Sequence, residues 1–331
     1  SLVGSEMCIR DRIIPVYNVE NYIERCLRSV ISQRYQGQIE CIIVDDKTPD
    51  GSIPIIEKII KSYQGEIDFK LIHHTANLGL SAARNTGLRY ATGDYVYFLD
   101  SDDEITPDCI NILCKPLLNK KYDFVIANYE LDKDGLPSYV LPISSREYCH
   151  NIQKMFLLHQ WPSMAWNKLC NLNFLKKNGL YFQEGLIHED ILWSFYLALY
   201  AKSFYVCNET TYVYCYRENS IVNEPGKILK HLESFVFILN KMNLAINKES
   251  KSVKTFIYCH MNDVLMYSLK KYTNFEDPLF KEYYMKYKEC IKGMKFSTLL
   301  FSIRMNVKYP VKLFHLFCPS KIGMLFLKRI K

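Results

Sequence analysis

Short apolar runs alternate with amphipathic stretches from residue 13 to about 130. Ile13 to Val16, Ile39 to Val44, Phe69 to Ile72, Tyr95 to Leu99 and Phe124 to Ala127 are each bounded by polar or turn residues, which predicts strands. Between the first two runs, Val19, Tyr22, Ile23, Cys26, Leu27, Val30 and Ile31 follow the i, i+3, i+4, i+7 spacing of a helix with one apolar face. Ile53, Ile56, Ile59, Ile60 and Tyr63 repeat that spacing between the second and third runs. A third helix is predicted from Ser81, an N-cap candidate, to near Gly93. Strands alternating with helices in this order predict an α/β fold with a mainly parallel sheet flanked by helices.

Beyond residue 130 the pattern changes. Residues 145–220 hold all three tryptophans, Trp161, Trp166 and Trp193, either as walls of a pocket or as core filling. Helical patterns dominate 227–290, for example Ile228, Leu232, Phe235, Val236 and Leu239. After Glu289 there is no acidic residue but nine Lys and Arg; without those nine the chain holds 33 basic and 35 acidic residues. The net charge of +7 therefore belongs to the tail, which argues against nucleic acid as a partner. Basic residues between the apolar patches Phe296 to Ile303, Leu313 to Phe317 and Met324 to Leu327 suit a segment lying on an anionic membrane surface, or a basic tail packed on its own domain. No apolar run approaches the roughly 18 residues needed to cross a bilayer. The twelve cysteines include no C-x-x-C pair, which fits thiols used as small core residues in a reducing cytoplasm and points to no zinc site. Residues 1–12, SLVGSEMCIRDR, read as a non-native leader abutting the first strand. The expected organisation is that leader, a domain over 13–220 (a nucleotide-binding half, 13–130, and an acceptor half, 131–220), and a helical region over 221–331 ending in the basic amphipathic tail.

Polar clusters follow the predicted strands, where open sheets of this kind bind ligands: Tyr17-Asn18, Asp45-Asp46, His73 to Gly79 and Asp100 to Asp103. In Asp100-Ser101-Asp102-Asp103, three carboxylates close a buried strand, and their repulsion is costly unless a cation is present. Hard oxygen ligands favour Mg²⁺ or Mn²⁺ beside a phosphorylated ligand; strand-end aspartates also serve as caps, and Pro107 nearby is compatible with a helix start. Asp45 and Asp46 could accept hydrogen bonds from a base or sugar hydroxyl, or close an Asx turn. Arg84, one turn into the third helix, could meet phosphate or a base carbonyl, or face solvent.

Taken together, Pro15-Val-Tyr-Asn18, Asp45-Asp46 with Asp50-Gly-Ser52, Asn77-x-Gly79 with Ala83-Arg84-Asn85, and Asp100-Ser-Asp102-Asp103 resemble glycosyltransferase family 2, of the bacterial cell-surface polysaccharide type, over residues 13 to about 220. The resemblance implies a GT-A fold, a nucleotide-diphosphate sugar donor, commonly UDP-linked, a divalent metal (Mn²⁺ or Mg²⁺) and inversion at the anomeric carbon. On this chain it implies that Pro15 and Tyr17 flank the uracil and Asp46 bonds its edge. Asn77, Arg84 and Ser101 would complete the nucleotide-sugar pocket, Asp100 would hold the ribose, and Asp102 would ligate the metal. Glu189-Asp190 resembles the family's Glu-Asp pair at a helix start, with Asp190 as the general base; two acids in a first turn also complement the helix dipole without chemistry. Asp45, Lys168, His188, Glu189 and Arg217 are weaker candidates, and Asp103 keeps no task beyond a possible cap. The implied reaction moves a hexose or N-acetylhexosamine to a sugar hydroxyl of a glycan or lipid-linked acceptor, at the cytoplasmic face of the membrane. A sugar nucleotidyltransferase is the alternative, but it would carry a glycine-rich loop where Pro15 to Asn18 stand. An inactive nucleotide-binding scaffold would not need both the D-x-D and Glu189-Asp190.

Overall fold

The computed structural model describes residues 9–35, 37–132, 140–216, 226–247 and 249–329. The chain forms two compact units, residues 1–152 with 160–218, and residues 153–159 with 219–331. The second unit thus claims 153–159, which the sequence pattern had grouped with the acceptor half.

In the first unit, strands β1 (Ile9–Val16), β2 (Glu40–Asp45), β3 (Asp68–His73) and β4 (Tyr95–Phe98) make the parallel half of a nine-stranded sheet, in the order β3-β2-β1-β4. Val16 pairs with Asp45 and Asp45 with His73, so three strands end level and their following loops share one edge. Every residue of β2 and β4 is buried, as expected for strands covered on both faces. Helices α1 (Ile23–Ile31) and α2 (Ser52–Ser62) cover one face, where Ile23, Cys26, Leu27, Val30 and Ile56 share a core with Ile14, Cys41 and Ile43. Helix α3 (Leu80–Tyr90) packs on β1 and β2. Its Gly87 lies so close to β1 that a Cβ there would sit 2.4 Å from the Ile13 side chain. That approach is open only to glycine, and it brings the preceding turn of α3, with Arg84, close to the strand ends.

The other half of the sheet breaks the parallel pattern. The short β5 (Glu104–Ile105) follows β4, then α4 (Cys109–Cys114), β6 (Phe124–Asp132) and β7 (Glu147–Tyr148). After α5 (Ile152–Leu157) come β8 (Lys168–Asn171), α6 (Leu172–Lys177), α7 (Glu189–Tyr200) and the long β9 (Phe204–Cys215). β8 inserts antiparallel between β4 and β6, β9 runs parallel to β6, and β5 and β7 pair antiparallel with β9. The tryptophans prove to be core. Trp166 stacks on Tyr212 at 4.4 Å, Trp193 on Phe182 at 5.1 Å, and Trp161 leans on Phe124 at 5.2 Å.

The second unit is helical: α8 (Ile228–Leu244), α9 (Lys251–Tyr272), α10 (Pro278–Cys290), α11 (Phe296–Phe301), α12 (Tyr309–Phe314) and α13 (Ser320–Arg329). Leu232, Phe235, Leu239, Phe256, Leu265 and Tyr287 fill its core. Inside it His315 bonds Asn262 at 2.8 Å and Tyr284 at 3.0 Å, and burial pushes the His315 imidazole down to about 3, so it is neutral there. No helix among the described residues is long and apolar enough to cross a membrane.

Two boundaries differ from the sequence pattern. Helix α3 starts at Leu80 after Gly79, whose φ of +90° suits a residue without a Cβ, so Ser81 is inside the helix and does not cap it. Strand β1 begins at Ile9, because backbone pairing continues through residues whose side chains do not suit a sheet interior. Arg12, opposite Cys41 and Tyr97, is 2% exposed, and none of its three side-chain nitrogens has a hydrogen-bond partner. Burial lowers its proton affinity. Asp11 faces Glu40, and burial together with that carboxylate pushes Asp11 up to about 7. A buried, unpaired cation is destabilising. Arg12→Val should raise unfolding free energy by about 1–3 kcal/mol, seen as a higher urea midpoint at unchanged m-value; an unchanged or lower midpoint would show that Arg12 is not a defect.

Candidate active site

The site assembles at the carboxyl edge of the parallel strands. Loops after β1 and β2 are laced together first. Thr48 Oγ1 accepts from the Asn18 N–H at 2.9 Å and donates to Asp50 at 2.7 Å. Asp50 also accepts from the Glu20 and Ser52 N–H groups, and Glu20 accepts from Gly51 N–H at 2.8 Å. Pro15 is buried in β1, where it pairs with Val44, while Tyr17 is 42% exposed. Asp45 and Asp46 both turn toward the loop after β3. Asp45 accepts from Thr48 N–H and contacts His73 Nδ1, each at 2.8 Å. The Asp46 carboxylate takes Leu78 N–H at 2.8 Å and Gly79 N–H at 2.7 Å and contacts His74 Nδ1 at 2.8 Å; His74 in turn reaches Thr86 Oγ1 of α3 at 2.9 Å. With its side chain 4% exposed, Asp46 shapes the loop that starts α3, and that occupies most of its capacity to accept from a base edge. Asn77 lies exposed on the same loop.

The four residues after β4 divide sharply. Asp100 accepts from Arg84 Nη2 at 2.6 Å, Ser101 is buried, and Asp102 is half-buried. Asp103 is turned inward, 1% exposed, accepting from Tyr212 Oη at 2.6 Å and Cys215 N–H at 2.8 Å. Burial, then the charges of Asp102 and Asp100, push it up to about 8. It caps no helix: α4 begins at Cys109, and the two donors on β9 are what Asp103 holds.

Across the site, α7 opens with Glu189 and Asp190 in its first turn, after His188, buried and in the left-handed region at φ +63°. Glu189 accepts from Arg84 Nη1 at 2.7 Å. Asp190 is half-buried and accepts from Ile191 N–H at 2.9 Å. Burial and the Glu189 charge push it up to about 7, against the opposing pull of Arg84. Lys168 is fully buried in β8 with its Nζ donating to the Met164 carbonyl, and burial pushes it down to about 8. It acts on Asp190 through charge and offers no exposed ammonium to a diphosphate. Arg217 lies outside the described residues. A surface groove of about 600 Å³ beside Arg25, Arg28 and Glu104 shares no residue with this site.

Asn85, in one of the quoted motifs, and Asn167, next to Lys168, carried no expected role, yet both hold the loops around the site. Asn85 donates to the Phe182 carbonyl at 2.9 Å and accepts from Phe182 N–H at 2.8 Å, pairing like a second backbone. Asn167 accepts from Tyr97 Oη at 3.1 Å and Thr211 Oγ1 at 2.7 Å, and donates to the carbonyls of Ala127 and Asn128. Their adjacency to Arg84 and Lys168 was the available signal; their partners, some 40 to 97 residues away, were not visible in sequence.

A parallel sheet edge with aspartates after its second and fourth strands, facing a Glu-Asp helix start, is the frame of a GT-A-like glycosyltransferase. The model of the family described as glycosyl transferase family 2 matches residues 12–178, and the chain belongs to that family. It is 31% identical over 221 residues to the glycosyltransferase GlyA of Streptococcus pneumoniae, covering 63% of this chain and 31% of GlyA, so it spans about a third of that relative's length. It is 32% identical over 267 residues to a Bacillus subtilis protein named as glycosyltransferase EpsH, covering 75% of this chain and 74% of EpsH. The fold matches the crystal structure of Staphylococcus aureus TarS residues 1–349 in complex with UDP-GlcNAc at a TM-score of 0.74 and 20% identity, covering 97% of this chain and 89% of the other.

Asn85→Ala would leave the buried Phe182 N–H and carbonyl without that partner, and should cost about 2–3 kcal/mol in denaturant unfolding. A loss below about 0.5 kcal/mol would show that the 182–190 segment is held by other contacts.

Proposed function

We propose that this glycosyltransferase moves a hexose or N-acetylhexosamine from a UDP-linked donor to a sugar hydroxyl of a glycan or lipid-linked acceptor, with inversion, in the synthesis of a surface polysaccharide. One observation carries the reading: Arg84 physically joins the loop after β4, with its three carboxylates, to the Glu-Asp start of α7, so donor-side and acceptor-side acids form one site. The UDP-GlcNAc complex of the TarS fold supports the choice of donor. As the acceptor oxygen bonds to the anomeric carbon, the bond from that carbon to the donor phosphate breaks and the nucleoside diphosphate leaves. The acceptor proton passes to the Asp190 carboxylate. Asp100 meets the ribose, Tyr17 and Pro15 border the base, and Asp46 and Asn77 shape the loop beside it.

Metal dependence fits the charges. Among the described residues no three His, Cys, Asp or Glu side chains gather into a metal-holding group. Half-buried Asp102 is the residue that would hold Mn²⁺ or Mg²⁺; burial first, and then the charges of Asp102 and Asp100, raise the proton affinity of Asp103 beneath it. Such an ion, when bound, offsets charge on the departing diphosphate.

A base must be unprotonated, so a carboxylate poised at about 7 loses function as pH falls through that value. The kcat/KM for UDP release should drop about tenfold per pH unit on the acid side of neutrality. Asp190→Asn should lower turnover by about 10²–10⁴ with UDP affinity retained, and EDTA should abolish turnover until Mn²⁺ is restored. Unchanged turnover in Asp190→Asn would remove it as the base; no UDP release from any UDP-sugar would overturn the donor.

We place the enzyme at an anionic membrane surface because the last helices of the second unit have two apolar faces. Leu299, Met305 and Leu313 are buried, while Phe296, Leu300, Ile303, Val307, Val311 and Leu325 are 54–72% exposed. A helix that only covers a core is polar on its outer side. Here the outer side mixes aliphatic residues with the exposed Arg304, Lys308 and Lys321, while Lys328 pairs with Glu276 at 3.0 Å, a surface suited to lipid headgroups and repellent to its own copy. The full chain should sediment with vesicles of phosphatidylcholine and about one-third phosphatidylglycerol, not with phosphatidylcholine alone, and Leu300→Glu with Leu325→Glu should release it. Equal binding of the double variant, or dimerisation through this face without lipid, would sink the idea.

A further inference from the structure

The resemblance to the family implies that Arg84 helps bind the nucleotide, but the geometry gives its side chain another task. An arginine that reads a base or a phosphate must present its fork of N–H groups to the ligand. Here Nη2 is taken by Asp100 at 2.6 Å and Nη1 by Glu189 at 2.7 Å, while Nε is buried without a partner. The side chain is 3% exposed, and its guanidinium carbon lies 5.2 Å from the centre of the Phe182 ring. The next residue, Asn85, fixes the Phe182 backbone from both sides. Adjacent residues of one helix therefore grip the chain on both flanks of the site.

We propose that Arg84 is a positioning residue: it binds Asp100 and Glu189 together, setting the start of α7 against the end of β4 and neutralising Glu189, so that Asp190 is the carboxylate left free to take a proton. The inference rests on Asp190 as the base. Around Asp190 stand Glu189 on its own helix, Arg84 on α3, with Asp100 on its far side, and Lys168 on β8. Two adjacent carboxylates without the arginine repel each other and hold protons more tightly; with it, the pair behaves as one charge. A nucleotide contact has no such effect on Asp190, and a purely structural strut has no sign.

Opposite substitutions therefore move the base in opposite directions. Arg84→Met removes the cation and should shift the acid limb of kcat/KM to higher pH by about one unit, with kcat down at least about tenfold and the UDP dissociation constant within about threefold of the parent. Glu189→Gln removes the repelling anion and should shift the limb to lower pH. The double variant should fall between them. Arg84→Lys should recover the limb but not kcat, since an ammonium does not span two carboxylates as a guanidinium does. Carbon-13 NMR titration of aspartate side chains in the unliganded variants should show the same opposed shifts for Asp190 without any turnover. If Arg84→Met fails to fold, Glu189→Gln against the parent still reads the sign. UDP affinity lost about tenfold or more in Arg84→Met with the limb unmoved would overturn the positioning role and return Arg84 to the nucleotide. Opposed NMR shifts in a protein that releases no UDP would instead keep the bridge and reject the transferase reaction proposed above.

Discussion

The site depends on a buried cation shared by two carboxylates. Arg84 is nearly inaccessible, and an arginine there is tolerable only because Asp100 and Glu189 meet it at hydrogen-bond distance; burial works against its charge, and the two anions more than restore it. Taking away one member of such a group typically costs about 3–5 kcal/mol, more than replacing the whole group by apolar residues would. The interaction is therefore a weak reason for stability and a strong one for geometry. Its three members come from α3, the loop after β4 and the start of α7. That α3 reaches this position follows from two glycines: Gly79 lets the loop turn into the helix, and Gly87 lets the helix lie against Ile13.

Around that bridge, acids close in sequence occupy different electrical settings. Asp100 is paired with a cation, Asp102 is half-open to solvent, and Asp103 is sealed beneath it, holding Tyr212 and Cys215 of β9. On the far side Glu189 is paired and Asp190 is not. Separate roles for acids of one type arise in this way: surroundings push their proton affinities apart, so one remains ionised while another takes up a proton near neutrality. Burial raises the proton affinity of both Asp103 and Asp190, with neighbouring carboxylates adding to it in each case.

What was legible in the chain was local. Period-two and period-3.6 patterning places β1 to β4, α1 to α3 and α7, because each buries an apolar stripe whose spacing is written in consecutive residues. The rule that ligands gather at strand ends then points to Asp45-Asp46 and Asp100 to Asp103. Of the other half only β6 was legible, as the run Phe124 to Ala127: Lys168 to Asn171 is too short and too polar to announce a central strand, and only its pairing with Tyr95 to Tyr97 and Phe124 to Ile126 makes it one. Long-range polar partnerships were hidden for the same reason. Nothing about Asp103 in sequence distinguishes a cap from an anchor for a strand 109 residues away, and nothing about Arg84 says which face of α3 it occupies relative to Glu189, 105 residues on. Arg12 is the converse case, since the residue type argues against a strand interior and the neighbouring strands pair with it nonetheless.

The tail brings two physical demands into one segment. Packing onto the bundle needs one apolar stripe, and Leu299, Met305, Leu313 and Leu327 supply it. That demand leaves the opposite stripe free to be polar, and a chain under no other pressure gains solubility by making it so. Instead Leu300, Ile303, Val307 and Leu325 lie outward on a segment that also exposes Arg304, Lys308 and Lys321, where the aliphatic residues lose free energy in water and the cations repel one another. Both penalties vanish together against an anionic bilayer surface, which takes the side chains into its interfacial zone and offsets the charge at about 1 kcal/mol for each basic residue near it. A neutral apolar partner would relieve only the first penalty, and an acidic polar one only the second. A tail packed on the bundle and the proposed membrane-facing tail are thus compatible, each using a different side of the same short helices.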